Sequence, residues 1–465
     1  MKQYIAATAF CFAVAALVAQ ETAAAQATGQ GTAATATSAT ASVAVANEVT
    51  KKTLVLTADS AVEQALNAHL DVQRGKITLE QAERKYKHAW NNVLPSITAS
   101  GTGSESRTYK DSDTDTLSLQ AGVSASLTLD LGLGSTIKGL KANYEAGKAT
   151  FEDTVRATES AVRTSFYNLL YLKEKWDSAK TTCDSYERQY EQTSAKAKRG
   201  MASELDLLTA QVNWETAKPD VDSAEQTYMN ALAEFLNTIG YEMQPGLEVS
   251  LEGSLDYAET AKAADYSLLE TCVEQSSEVR SLKDSLRIAV LSRDSKKGSL
   301  YFPSLTASAS AYPLSWQKEQ NSGDESSSPN WSVSLGLSLP LDSWLPGSSS
   351  CDTIAELNDT VKDYELQLEQ KKKDVRSATM EKLKEIEVSQ KNLKARHLNV
   401  ELAQKSYEMT EDAYNRGTKD LLTLQSALDT LRTAQLQLRE EQYTLISNVL
   451  DLEQSLSLPS GSLFE

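Results

Sequence analysis

The chain has 465 residues and a formal net charge of −18. An acidic surface of this kind excludes the counterion release on which nucleic-acid binding depends. Beyond the N-terminal signal no run of about eighteen apolar residues occurs, so no helix is predicted to span a bilayer, and any insertion must use strands.

Lys2, an apolar run over 4–18 and Ala23-Ala24-Ala25 read as a secretory signal over 1–25. Cys11 follows Phe10 rather than a small residue, which argues against a lipid anchor. Residues 26–52 are rich in Ala, Thr, Gln and Ser, lack aromatics and read as a disordered tether. Cys183, Cys272 and Cys351 remain, an odd and scattered set that fits neither a disulfide framework nor a zinc site.

Apolar residues at helical spacing (Val62, Ala65, Leu66, Leu70, Leu79, Ala82, Tyr86) predict a helix over 57–92, with Asp59 as N-cap and Pro95 beyond its end. The period then changes to two. Leu117, Leu119, Ala121, Val123, Ala125, Leu127, Leu129 and Leu131 alternate mostly with Ser, Thr, Gln, Gly or Asp, a strand with one apolar face, reached through a polar loop over 107–115. A proline-free helix follows over 136–198, on the order of 95 Å at about 1.5 Å per residue. Gly200, preceded by Lys196, Lys198 and Arg199, predicts a tight helix-to-helix turn. Pro219 predicts a kink in the returning helix, and 241–265, holding Pro245-Gly246 and Gly253, a small mixed domain at mid-height.

The same order then repeats. Leu94-Pro95-Ser96-Ile97-Thr98-Ala99-Ser100 returns as Phe302-Pro303-Ser304-Leu305-Thr306-Ala307-Ser308. Tyr190, Arg199-Gly200, Leu205, Leu207 and Ala210 return at a constant offset as Tyr407, Arg416-Gly417, Leu422, Leu424 and Ala427. Structural repeats over 53–264 and 265–465 are therefore predicted. The second carries an alternating strand over 331–341, a polar loop over 316–330 and a long helix over 352–415. In its last helix Leu421, Leu424, Leu428, Leu431, Gln435, Leu438, Gln442, Leu445, Val449 and Leu452 keep a heptad spacing. A second stripe, Leu422, Leu436, Tyr443, Ile446 and Leu450, predicts contacts on two sides, as in a wall of helices. Trp331 and Trp344 fit either an interfacial aromatic girdle or buried packing. His69, His88 and His397 are too separated for a metal cluster or a catalytic dyad.

Two rounds of helix, strand hairpin, very long helix, glycine turn and returning helix resemble the TolC-like outer-membrane efflux protein family. The span from Tyr407 to Ala427, continuing to Ala434-Gln435, is similar to the family's tip motif, and Asp130-Leu131-Gly132 and Pro340-Leu341-Asp342 to its strand-to-helix exits. The resemblance implies a mainly α fold with a small membrane β part: long coiled-coil helices forming an α-barrel tunnel, and four strands per chain in a twelve-stranded barrel shared by a homotrimer.

It implies an outer-membrane exit duct of a tripartite efflux or type I secretion system. The partners implied are outer-membrane lipid, a periplasmic adaptor (membrane fusion) protein and an inner-membrane pump of RND or ABC type, with no enzymatic activity and no cofactor. Lys198, Arg199, Gly200, Arg416, Gly417 and Lys419 are candidates for adaptor docking at the tips, or for simple helix capping. Asp206 is the candidate pore gate, with a solvated helix face as the other reading; the position matching it in the second half is Thr423, with Asp420 and Asp429 nearby. The alternative function, a periplasmic coiled-coil adaptor or scaffold, needs only one helical hairpin, and this chain has two.

Overall fold

The computed structural model describes residues 52–108, 114–241, 247–262, 266, 273–319 and 324–464. The expected signal and most of the expected tether lie outside the described residues, as does Cys272. Lys52, the last tether position, opens β1 (Lys52–Leu56), which pairs in parallel with β4 (Leu247–Leu251).

The helix expected over 57–92 is two helices, α1 (Ala58–Ala68) and α2 (Leu70–Lys87), followed by a 3-10 turn over Ala89–Val93. The N-cap is Thr57 rather than Asp59: Thr57 Oγ1 accepts from the N–H of Ser60 at 3.2 Å, and Ser60 Oγ accepts from the N–H of Thr57 at 2.9 Å. Asp59 instead pairs with Arg163 at 2.7 Å, tying α1 to the next long helix. His69 separates the two helices in an extended conformation and caps α2 by accepting from the N–H of Asp71.

The strand pattern yields one antiparallel sheet. β2 (Ser96–Thr108) pairs with β3 (Thr114–Leu129), β3 with β5 (Ser304–Glu319), and β5 with both β6 (Glu325–Ser327) and β7 (Asn330–Ser338). Much of the loop expected over 316–330 is therefore strand, held by Trp316 opposite Ser327 and a Lys318–Glu325 ion pair at 2.9 Å. Residues 320–323 lie outside the described residues. Leu131, Leu339 and Leu341, expected in strands, follow the ends of β3 and β7.

The long helices are α3 (Leu133–Ala197, 65 residues) and α6 (Ser349–Asn415, 67 residues). Their returns are α4 (Glu204–Thr238) and α7 (Leu421–Ser455), and α5 (Ser277–Tyr301) precedes β5. α4 runs unbroken through Pro219. Toward the glycine turns α4 packs on α3, α3 on α7 and α7 on α6; toward the sheet α2 packs on α3, α3 on α5 and α5 on α6. Each level is thus a row of four helices. At the sheet end the approach is closest where Gly298 of α5 meets Gly132: a Cβ on Gly298 would lie 2.3 Å from the Gly132 nitrogen. Asp130 Oδ1 fixes that exit by accepting from the N–H of Gly132 at 2.7 Å.

The main core sits at the middle of α3. Val162, Phe166, Leu169 and Leu170 meet Leu232, Phe235 and Leu236 of α4, Leu445, Ile446 and Leu450 of α7, and Leu251 and Leu255 of the mixed segment. Most of the predicted heptad seam of α7 is buried, including Leu431, Leu438, Gln442, Leu445, Val449 and Leu452; Gln435 is exposed and Ala434 takes its place. Against this core Glu453 is buried, and its carboxylate accepts from the N–H groups of Gly461 (2.7 Å) and Leu463 (2.6 Å) and from Ser462 Oγ (3.2 Å). Burial outweighs these hydrogen bonds and raises its pKa. Phe464 then stacks on Tyr257 at 4.4 Å, and Tyr257 on Tyr167 at 5.7 Å.

Candidate functional site

The two glycine turns have the same backbone solution. Gly200 and Gly417 have φ of 72° and 74°, the left-handed region that glycine enters at no steric cost. At the first, the N–H of Met201 donates to the Lys196 carbonyl and that of Gly200 to Ala197, both at 2.9 Å; at the second, Thr418 donates to Ala413 and Gly417 to Tyr414, again at 2.9 Å. Both are Schellman closures.

The helices that follow are capped by mirrored pairs. In the first half Ser203 Oγ accepts from the N–H of Asp206 at 3.0 Å, and Asp206 Oδ2 accepts from the N–H of Ser203 at 3.2 Å and from its hydroxyl at 2.6 Å. In the second half the acid is the cap: Asp420 Oδ1 accepts from the N–H of Thr423 at 3.1 Å and from its hydroxyl. Thr423 therefore stands where Asp206 stands, and Asp420 where Ser203 stands. One carboxylate remains at each helix N-terminus, favoured by the helix dipole. The hydrogen bond from the Thr423 hydroxyl holds the Asp420 carboxyl below its ordinary pKa.

Of the candidate docking residues, Lys198, Arg199, Gly200, Arg416, Gly417 and Lys419 are all exposed at the turns. Arg416 reaches Asp412 one turn back at 3.4 Å in a solvated pair. At the tips the two hairpins are joined by Lys196, a cation of the first glycine stop that is not among the docking candidates: Lys196 Nζ donates to Tyr414 Oη at 3.3 Å and lies 5.3 Å from its ring centroid. Further links cross from α3 and α4 to α7. Tyr186 Oη donates to Asp429 Oδ1 at 2.6 Å, Asn213 to Gln425 at 3.1 Å, and Gln425 to Gln189 at 2.7 Å. Arg432 donates to Ser185 Oγ at 2.8 Å and to the Thr181 carbonyl at 3.2 Å. For the glutamine links the available sequence signal was Gln425, a polar residue next to the heptad leucine Leu424.

Above the helices the sheet is two-faced. The register puts Leu129, Leu305 and Leu337 on one level, and Val123, Ala311 and Trp331 on another, of the same face. From Leu119 to Leu129 the strand rises roughly 33 Å, which at a barrel tilt of about 40° is roughly 25 Å along the axis, the height of an outer-membrane apolar band. Trp316, opposite Leu119, marks the upper limit of that band, and charge resumes beyond it at Lys318 and Glu325. Trp344 lies below the strands, edge-on to Tyr301 at 5.6 Å, with Trp90 also exposed near that rim. Trp331 sits within the band.

The model of the outer membrane efflux protein family matches residues 61–240 and 295–457. No curated protein matches the chain. Among solved structures the chain is similar to CusC (17% identity, covering 86% of this chain and 92% of that one, TM-score 0.72). It is similar to the CmeC outer membrane channel of Campylobacter jejuni (17%, 88% and 86%, 0.69) and to the open state of the MtrE outer membrane channel of Neisseria gonorrhoeae (16%, 86% and 89%, 0.67). At these identities the likeness establishes the fold, while the family match covers both repeats, tips included. The chain belongs to the outer membrane efflux protein family, whose members are passive outer-membrane channels and not enzymes.

Proposed function

We propose that three copies of this chain close head to tail into one exit duct, crossing the outer membrane as a twelve-stranded barrel and the periplasm as a tunnel of helices. The observation that carries this reading is that the chain has two unfinished edges at every height. In the sheet, β2 is outermost on one side, and β6 and β7, both paired with β5, on the other. Next to the sheet α2 and α6 end the row of helices, with Leu70 and Ile77 exposed on one and Leu366 and Met380 on the other. At the tips α4 and α6 end it, with Leu205, Leu208 and Val212 facing out on one and Leu398, Leu402 and Met409 on the other. A sheet with free edges is not viable in lipid, where every backbone group must be bonded internally. Different surfaces meeting head to tail close a ring when the rotation allows it.

The duct belongs to a tripartite efflux or type I secretion system, energised by an inner-membrane pump of RND or ABC type. A periplasmic adaptor docks at Lys198, Arg199, Gly200, Arg416, Gly417 and Lys419, and outer-membrane lipid covers the leucine face of the sheet. Asp206, repeated three times around the axis, is the candidate gate carboxylate, its position fixed by its capping box. The test is the mass of protein extracted from outer membranes in mild detergent, corrected for bound detergent. A heat-sensitive trimer is expected, and a water-soluble monomer or dimer overturns the proposal.

A further inference from the structure

Between Ser118 and Thr128 of β3, the face of the sheet opposite the leucines carries no charge. Residues 96–104, 118–129, 304–317 and 330–338 include no Asp, Glu, Lys or Arg, although 24% of the chain is charged. The register sets hydroxyl against hydroxyl on that face, and the pairs close. Ser96 meets Ser126, Thr98 meets Ser124 and Ser104 meets Ser118, each at 2.8 Å between side-chain oxygens. Ser308 meets Ser334 at 2.6 Å and Ser310 meets Ser332 at 2.8 Å. Above this field Glu319, opposite Thr116, is the first charge on the hydroxyl face, while Glu105, Lys318 and Glu325 fall on the leucine face; Asp130 and Asp342 follow the strands below.

In a narrow bore with low-dielectric walls, a ring of fixed charges selects ions by sign. A hydroxyl already bonded to its cross-strand neighbour also gains little by exchanging that partner for a passing solute. We infer that the sheet encloses a charge-neutral, weakly adhesive exit lined by paired hydroxyls, passing anionic, cationic and uncharged solutes alike and leaving charge discrimination to the helices. Anionic cargo, which a chain of this acidity would otherwise repel, is thereby admitted at the exit. The inference rests on the trimeric conduit proposed above.

The test uses the full-length trimer in planar bilayers, with the cation-to-anion permeability ratio read from the reversal potential in a potassium chloride gradient. Ser124→Asp and Ser124→Lys are compared with the wild type, and Ser308→Asp and Ser308→Lys supply a second position if the first pair fails to give the heat-sensitive trimer. Starting from a neutral bore, the Asp and Lys variants shift the ratio in opposite directions, each by roughly threefold or more. A shift with Lys and none with Asp would mean that the bore is already negative, and no shift with either that the hydroxyl face does not line the path; each overturns the inference alone. A wild-type protein that is not trimeric or does not conduct overturns the conduit reading, and the inference with it.

Discussion

The two returning helices follow matching glycine turns yet occupy different places in the wall. α7 lies between α3 and α6 and is apolar on two sides, whereas α4 is an edge with Leu205 72% exposed beside Leu208 and Val212. The turns that precede them kept the same hydrogen bonds, while the side chains diverged with position: Tyr190 stacks on Trp214 at 5.4 Å, with Lys218 lying 3.7 Å from the Trp214 ring centroid, where the second half has Tyr407 and Leu431. Local geometry is the same at the two turns because it depends only on the backbone. Packing is not, because it depends on neighbours.

Exchanging the proline between the halves tests this most severely. Leu436→Pro, placed inside the wall, is expected to cost about 3 kcal/mol or more through a lost hydrogen bond and a clash, and to abolish the heat-sensitive trimer on gels. Pro219→Leu, at the edge, is expected to leave the trimer intact, and an equal loss from both would show that the two environments do not differ. Next in size, Leu445→Ala in the core is expected to cost about 2–5 kcal/mol by cavity formation, lowering the midpoint of denaturant unfolding. Leu205→Ala should barely change that midpoint and should instead weaken trimer cohesion, read as a lower gel dissociation temperature.

The turns should respond alike where the helices do not. Gly200→Ala and Gly417→Ala each force a side chain into the left-handed region, at about 1–2 kcal/mol, read by hydrogen exchange of the two tips; a much larger loss at one would break the equivalence. The caps give the smallest effects. Ser203→Ala is expected to cost about 1 kcal/mol, and Asp420→Ala to loosen its own tip. Because the Asp420 carboxyl titrates below its ordinary value when folded, its contribution is complete above the ordinary carboxylate pKa and lost as pH falls through the lowered one. Acidification should therefore expose the wild-type second tip to exchange, and Asp420→Asn should remove that dependence.

Much of this was legible because it is periodic or local: the long helices, the alternating strands, the glycine stops and the two-sided last helix. What escaped depends on partners distant in sequence. Asp59 resembled a cap, but Arg163 takes its carboxylate. Residues beyond Trp316 resembled a loop, but pairing with β3 and β6 makes them strand. Gln435 fits the heptad arithmetic of α7, yet over this stretch the neighbouring helices bury Ala434 instead. At the tips the glycines and flanking cations could be placed from sequence alone. The mirrored caps and the Lys196–Tyr414 link could not, since both arise from how chain segments meet.

Pro313 shows what one irregularity can do for a whole sheet. It lies in the central strand β5 at a bulge, where Ala121 pairs with Leu314 but Val123 with Ala311, so that Tyr312 and Pro313 together face Gly122. Leu305, Ala307, Ala309 and Ala311 below the bulge, and Leu314 and Trp316 above it, thereby share the leucine side of β3, whose own alternation is uninterrupted. A one-residue slip of β5 would drive a proline with no N–H into the ladder and turn a row of serines toward hydrocarbon. Misaligned hairpins are thus penalised twice before any neighbour arrives, and the sheet proofreads its own assembly.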